Sequence, residues 1–231
     1  MIPLNKQFNY PPLERVTATD GKRYYVCPEG NHLSSVTTIL SATADMTGLL
    51  EWRAWVGDKK ADQIRDEATG LGSLMHTHLE NWMMGVDRPG GSNVVRQMAR
   101  NMADTIINRG LKSVEEVWAM EEILYFPGLY AGTADLIGIH KGQPCIFDYK
   151  TTNKMKTRDK IVDYSHQLAA YALAHDEIYN TNINKGVIFM VSRDLQYEEF
   201  VFEGDEFDRA KDDWLGRVTT FLNPADTGNA S

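Results

Sequence analysis

The chain has 231 residues, 42% hydrophobic and 24% charged, and its 24 basic and 32 acidic side chains give a formal net charge of −8. That length suits one or two domains with a full core. No run approaches the ~18–20 apolar residues of a membrane span, and the charge argues against non-specific duplex binding through electrostatics alone.

Residues 1–20, with Pro3, Pro11 and Pro12, read as an irregular arm whose start lacks the basic and apolar run of a signal peptide. Residues 22–27 have the β-branched and aromatic character of a strand, closed by a turn at Pro28-Glu29-Gly30-Asn31. From Ser34 to about Arg109 the pattern is helical. Ser34 and Ser35 offer a cap, residues 49–67 contain a mixed-charge helix, and Gly70 and Gly72 interrupt before another helix over 73–84. A loop at Asp87-Arg88-Pro89-Gly90-Gly91 follows, and Ser92 opens a helix that stops at Gly110.

The period then changes. Residues 114–126, 131–140 and 144–151 read as three consecutive strands, separated by Pro127-Gly128 and by Lys141-Gly142-Gln143. A helix over 159–177 presents Leu168, Tyr171 and Ala172; strands over 186–192 and 197–202 and a helix over 206–222 complete the chain. The fold class is α/β, a mixed central sheet flanked by helices with an N-terminal helical elaboration. As a single domain it divides into an arm and strand (1–33), the helical elaboration carrying His76 (34–110) and the αβ core (111–231).

The strongest chemical cluster is Asp135, Asp148 and Lys150. Residues two apart on a strand face one side, so Asp148 and Lys150 project together, and a paired strand can bring Asp135 beside them. Two converging carboxylates make a hard, oxygen-rich site suited to Mg²⁺ or Mn²⁺, and a lysine there can orient water or stabilise charge on a phosphoryl group. The competing reading is a strand end with solvated charges. Both carboxylates sit on apolar strands, however, where an unpaired charge costs several kcal/mol. Gln167 and Tyr171 share a helix face by their i, i+4 spacing, as do His76 and Glu80. His76 and His78 diverge by about 200° on a helix, which disfavours a zinc pair. Cys27 and Cys145 read as packing residues and are too few for a disulfide scaffold or an iron–sulfur cluster, so a reduced, cytoplasmic protein is expected. Met75, Met83 and Met84 read as core.

In this order the motifs resemble the PD-(D/E)XK nuclease superfamily, RecB-type branch, and in layout the phage-encoded and mitochondrial genome maintenance exonucleases. Gly72 and His76 match a helical Gly-x-x-x-His motif, Gly132 to Asp135 a G-x-x-D strand, Asp148-Tyr149-Lys150 a D-x-K strand, and Gln167 with Tyr171 a Q-x-x-x-Y helix. The segment from Ser35 to Leu40 and Glu121 are also similar to these exonucleases. The resemblance implies a restriction-endonuclease-like α-β-β-β-α-β core. It implies metal on His76, Asp135, Asp148 and the Tyr149 carbonyl, with Lys150 as the catalytic lysine assisted by Gln167 and Tyr171. Thr151, Thr152, Lys154 and Glu80 are then candidates for substrate binding, and the basic run Lys154, Lys156, Arg158 and Lys160 for guiding a nucleic-acid backbone. The implied activity is a Mg²⁺- or Mn²⁺-dependent DNA exonuclease favouring single strands with a free end. Its setting would be replication, recombination or degradation in a bacterial or phage-infected cytoplasm, with no membrane partner. A structure-specific endonuclease, a non-catalytic DNA-end-binding subunit and a zinc hydrolase of unrelated fold are the alternatives.

Overall fold

The computed structural model describes residues 2–19 and 23–224. Five strands form the central sheet in the order β4-β5-β6-β7-β8: β4 (Val114–Phe126), β5 (Tyr130–His140), β6 (Gln143–Thr152), β7 (Lys185–Ser192) and β8 (Tyr197–Glu203). All neighbours are antiparallel except β6 and β7, which run parallel and are joined by the crossover helix α5 (Val162–Tyr179). A parallel pair needs such a crossover, and among the described strands this is the one neighbouring pair of the sheet that keeps the same direction.

Side-chain alternation on β6 sorts the two faces. Cys145, Phe147 and Tyr149 enter the core shared with α3 (Asp58–Met84) and α4 (Val94–Arg109). Ile146 enters the opposite core, with α1 (Val36–Ala42), α5 and α6 (Asp205–Leu222). Period two therefore sends Asp148 and Lys150 toward α5. Helix α5 is buried on nearly every side, from Ser165 through Ala172 and again at Ala174 and His175, as befits a helix lying between the sheet and α6.

Several elements differ from the sequence reading. The expected arm contains β1 (Glu14–Thr17), which with β2 (Arg23–Val26) and β3 (His32–Ser34) forms a second, three-stranded antiparallel sheet. Ser34 belongs to β3, and Ser35 alone caps α1 by accepting from Thr38 N–H at 3.0 Å. The helical break lies at Gly57 rather than at Gly70 and Gly72. Gly57 adopts φ 85°, separating α2 (Thr47–Val56) from α3, a conformation open to glycine at little cost. Helix α3 runs unbroken through the other two glycines because Leu71, Met75 and Leu79 anchor one face in the core, outweighing roughly 1 kcal/mol per glycine. Met84, expected in the core, is exposed at the end of that helix. The helix expected from 159 starts at Val162, after a short 3₁₀ turn over Arg158–Lys160.

The N-terminal segment is tied down by two contacts. Leu4 and Asn5 bridge to Val117 on β4, and Phe8 and Tyr10 pack with Trp118 and Tyr179 around the buried His175. Thr181 Oγ1 donates to Asp176 at 2.7 Å, so it accepts from His175 Nδ1 at 2.8 Å, and His175 Nε2 accepts from the Tyr10 hydroxyl at 3.1 Å. Both ring nitrogens are thus satisfied in one neutral tautomer. Burial pushes the imidazole down to about 4.

Because that value lies below the ~6.5 of an unfolded histidine, its contribution is fully present above pH 6.5 and is lost as pH falls toward 4. Urea unfolding should show wild type losing about 2 kcal/mol more between pH 7 and pH 5 than His175→Gln, whose amide does not titrate. Equal losses would contradict this origin of acid lability.

Candidate active site

A cavity of about 810 Å³ opens over the C-terminal half of β6. Its floor is Glu121, Asp135, Asp148 and Lys150 from the central strands. One wall is the face of α3 bearing Thr69, Gly72, Ser73, His76, Thr77 and Glu80; α5 contributes Gln167 and Tyr171, and the N-terminal sheet and α1 close the far side through Arg15, Tyr25, Val36 and Thr37.

The floor forms where two strands part. Backbone pairing of β5 with β6 runs from His140↔Gln143 to Leu136↔Phe147 and stops there. The next donor, Tyr149 N–H, is taken by Asp135 Oδ2 at 2.8 Å, so the carboxylate replaces a ladder partner. Asp135 and Asp148 are only 9% and 1% exposed. Buried carboxylates need compensation, and Lys150 supplies it: its ammonium lies 2.7 Å from Asp148 Oδ1 and 2.6 Å from Oδ2. Lys150 also donates to Gln167 Oε1 at 3.1 Å, and Gln167 Nε2 donates to the Tyr171 hydroxyl at 3.3 Å. The helical i, i+4 pair therefore holds the lysine in place.

Burial, with help from Asp135, pushes the Asp148 carboxyl up to about 6, against the pull of Lys150 and His76. Burial works against the Lys150 ammonium too, but Asp148 and Asp135 overcome it and raise its value. Lys150 thus stays charged, which suits a hydrogen-bond donor and charge stabiliser rather than a neutral base.

His76 sits across the cavity on α3. Its Nε2 lies 3.0 Å from the Tyr149 carbonyl, which leaves Nδ1 facing Glu121 Oε1 at 3.6 Å and Asp135 Oδ1 at 3.7 Å. Burial depresses this imidazole, yet Asp135, Glu121 and Asp148 together carry it up to about 9. The pocket around Nδ1 therefore concentrates negative potential and favours a cation.

Glu121 was noted in the sequence without a ligand role, and the structure brings it into this group. It stands in mid-β4 at φ 49°, between the pairs Met120↔Leu136 and Glu122↔Ala134. A non-glycine residue there stores about 1–3 kcal/mol of strain, and such strain concentrates at functional sites. Its acidic side chain inside a strand and its similarity to the exonucleases were the available signals; its left-handed backbone conformation has no trace in composition.

His76, Glu121 and Asp135 offer one ligand atom each, all within 4.8 Å of one another. Ligands about 2.1 Å from a small divalent ion lie at most ~4.2 Å apart, so modest side-chain rotation closes the set around one. Two carboxylates and an imidazole suit Mg²⁺ or, with the nitrogen, Mn²⁺. Asp148 and the Tyr149 carbonyl lie beside this group, engaged by Lys150 and His76 respectively.

The remaining sequence candidates divide. Glu80 and Thr151 line the cavity. Thr152 and Lys154 do not: Thr152 Oγ1 donates to the Lys154 carbonyl at 2.7 Å, closing a local turn. In the expected basic run, Arg158 is held by Glu206 at 2.6 Å and Lys156 donates to the Tyr164 hydroxyl at 2.8 Å. His78 is buried and lies near Arg88, Arg100 and Asp104, on the α4 side and away from His76, so the two histidines do not share a zinc site. Cys27 and Cys145 are free and buried.

The chain belongs to the PD-(D/E)XK nuclease superfamily, whose family model matches residues 79–226. That superfamily uses divalent metal ions. The chain is 28% identical over 188 residues to mitochondrial genome maintenance exonuclease 1 of Xenopus tropicalis, an alignment covering 72% of this chain and 52% of that protein. It thus spans about half the length of the curated relative it matches. A candidate exonuclease from Eubacterium rectale shares the fold, with a TM-score of 0.51 at 13% identity over 68% of this chain and 65% of that one.

Two glycines at the cavity differ in how closely they are packed. A Cβ on Gly132 would lie 2.8 Å from Tyr171 Cε1 and 3.2 Å from Val36 Cγ2, whereas one on Gly72 would meet Thr151 Oγ1 at an ordinary 3.6 Å. Gly132→Ala should therefore cost about 1–3 kcal/mol in urea unfolding. Gly72→Ala should be neutral or stabilise by up to about 1 kcal/mol through helix propensity. The reverse order would contradict the packing described.

Proposed function

We propose that this nuclease is a Mg²⁺- or Mn²⁺-dependent DNA exonuclease, hydrolysing phosphodiester bonds of single-stranded DNA from a free end. The observation that carries the metal-dependent chemistry is the donor group of His76, Glu121 and Asp135 lying in one cavity with the Asp148–Lys150 pair. The exonuclease preference is supported by the name of the amphibian relative. The biological setting is phage or bacterial DNA replication, recombination or degradation. Buried free cysteines fit a reducing cytoplasm, and among the described residues no helix is long and apolar enough to cross a membrane.

His76, Glu121 and Asp135 would hold the ion, with Asp148 and the Tyr149 carbonyl adjacent. When bound, the ion supplies Lewis acidity toward a phosphoryl oxygen and lowers the pKa of a water. The protein does the rest. Lys150, kept protonated by Asp148 and fixed by Gln167, donates to the attacking water or to a non-bridging phosphoryl oxygen as negative charge grows there. Attack of water forms the new P–O bond as the bond from phosphorus to the 3′ oxygen breaks; the water's proton passes to solvent, and the departing 3′ oxygen takes one from solvent. Tyr171 sets the Gln167 amide through its hydroxyl and is a positioning residue.

End-labelled linear single strands and a circular single strand should be incubated together with Mn²⁺, Mg²⁺ or EDTA. Loss of the linear strand in metal, with the circle intact, is expected. Cutting of the circle would instead make the enzyme an endonuclease. Asp148→Ala and Lys150→Ala each leave a buried charge unpaired and should lose several kcal/mol in urea unfolding, yet each, measured where its circular dichroism is that of the folded protein, should cut at roughly 100-fold lower rate or less. A folded variant cutting at the wild-type rate would remove that residue from the site.

A further inference from the structure

The cavity is acidic for a site that must admit a polyanion. Its lining carries four carboxylates, Glu80, Glu121, Asp135 and Asp148, against three basic side chains, Arg15, His76 and Lys150. Two of the three are committed: Lys150 to Asp148 at 2.6 Å, and His76 to the Tyr149 carbonyl with Glu121 and Asp135 opposite. Arg15 is different. Among the described residues no carboxylate lies within ion-pair distance of it, and its strand β1 is exposed along its length.

Its position is determined by strand register. Arg15 pairs directly with Tyr25 of β2, and directly opposed residues of an antiparallel pair share a face. Tyr25 is buried, and its hydroxyl lies 3.3 Å from Thr133 Oγ1 on β5, two residues from Asp135. A second tie, the Ser35↔Ala131 bridge, fixes the start of α1 to the same strand. These contacts dock the small sheet beside the floor, and the face carrying Tyr25 into the cavity carries Arg15 with it. A guanidinium held on a strand, planar and permanently charged, is the side chain best matched to a phosphate.

We propose that Arg15 forms a phosphate-binding position on the N-terminal sheet, taking a non-scissile phosphate of the nucleic-acid strand whose neighbouring phosphate lies over the Asp135–Asp148–Lys150 floor. The assignment rests on the nuclease reading above and adds to it the group that anchors the substrate. Arg15 is a positioning residue here: it contributes to binding and leaves the chemical step to the floor.

The test is steady-state cleavage of a labelled linear single strand by the full chain, its Arg15→Gln variant and its Arg15→Lys variant, across a series of salt concentrations. Loss of one charged contact should raise KM about tenfold or more in Arg15→Gln while kcat stays within about twofold. The slope of log(kcat/KM) against log[salt] should become shallower by about one, the loss of roughly one counterion-releasing phosphate contact. Arg15→Lys should recover part of the KM and most of the slope. Since Arg15 is exposed, melting temperatures should agree among the three proteins. Wild-type KM and slope in an active Arg15→Gln enzyme would overturn the phosphate assignment alone, and so would a fall in kcat at constant KM. If the unaltered chain cleaves no nucleic acid with any metal, the nuclease reading of the cavity fails first and the Arg15 assignment with it.

Discussion

Two carboxylates are carried into the interior by adjacent central strands, and most of the surrounding structure offsets the cost of putting them there. Asp135 takes the place of a backbone partner for Tyr149, at the point where β5 and β6 stop pairing. Asp148 is neutralised by Lys150, which Gln167 and Tyr171 then hold. Leaving one such charge buried and unpaired costs several kcal/mol, so each partner is required for stability. The same concentration of negative charge draws protons to His76 and makes the cluster with Glu121 receptive to a cation.

Three layers converge on that floor for separate reasons. Alternation along β6 sends Asp148 and Lys150 toward α5 and sends Tyr149 toward α3, so one strand addresses both walls. Helix α3 is anchored by Leu71, Met75 and Leu79 and turns His76 and Glu80 to the cavity from its neighbouring face. The N-terminal sheet has few buried residues of its own, and Tyr25 and the Ser35 bridge hold it over the opening. It closes one side of the cavity, whereas the five-stranded sheet builds the floor.

Much of this arrangement was legible from the sequence because it rests on periodicity. The three-strand run, the crossover helix and the spacing of Asp148 with Lys150 and of Gln167 with Tyr171 all follow from periods of two and 3.6. What escaped depends on backbone conformation or on contacts distant in sequence. Gly57, Gly70 and Gly72 look alike on paper, yet only Gly57 adopts a positive φ and breaks the helix. Strands β1 and β3 are four and three residues long, too short to display alternation, and they owe their existence to mutual pairing through β2. Glu121 reaches the cluster only through its left-handed backbone, and Thr152 leaves the cavity through a local hydrogen bond to Lys154.

His76, Glu121 and Asp135 are the divalent-metal position we propose for this protein. The most direct measurement is anomalous diffraction from crystals grown with Mn²⁺. A dominant peak is expected about 2.1 Å from His76, Glu121 and Asp135 ligand atoms, beside Asp148 and the Tyr149 carbonyl. A well-occupied peak elsewhere in the protein with this position empty, at saturating Mn²⁺, would contradict it.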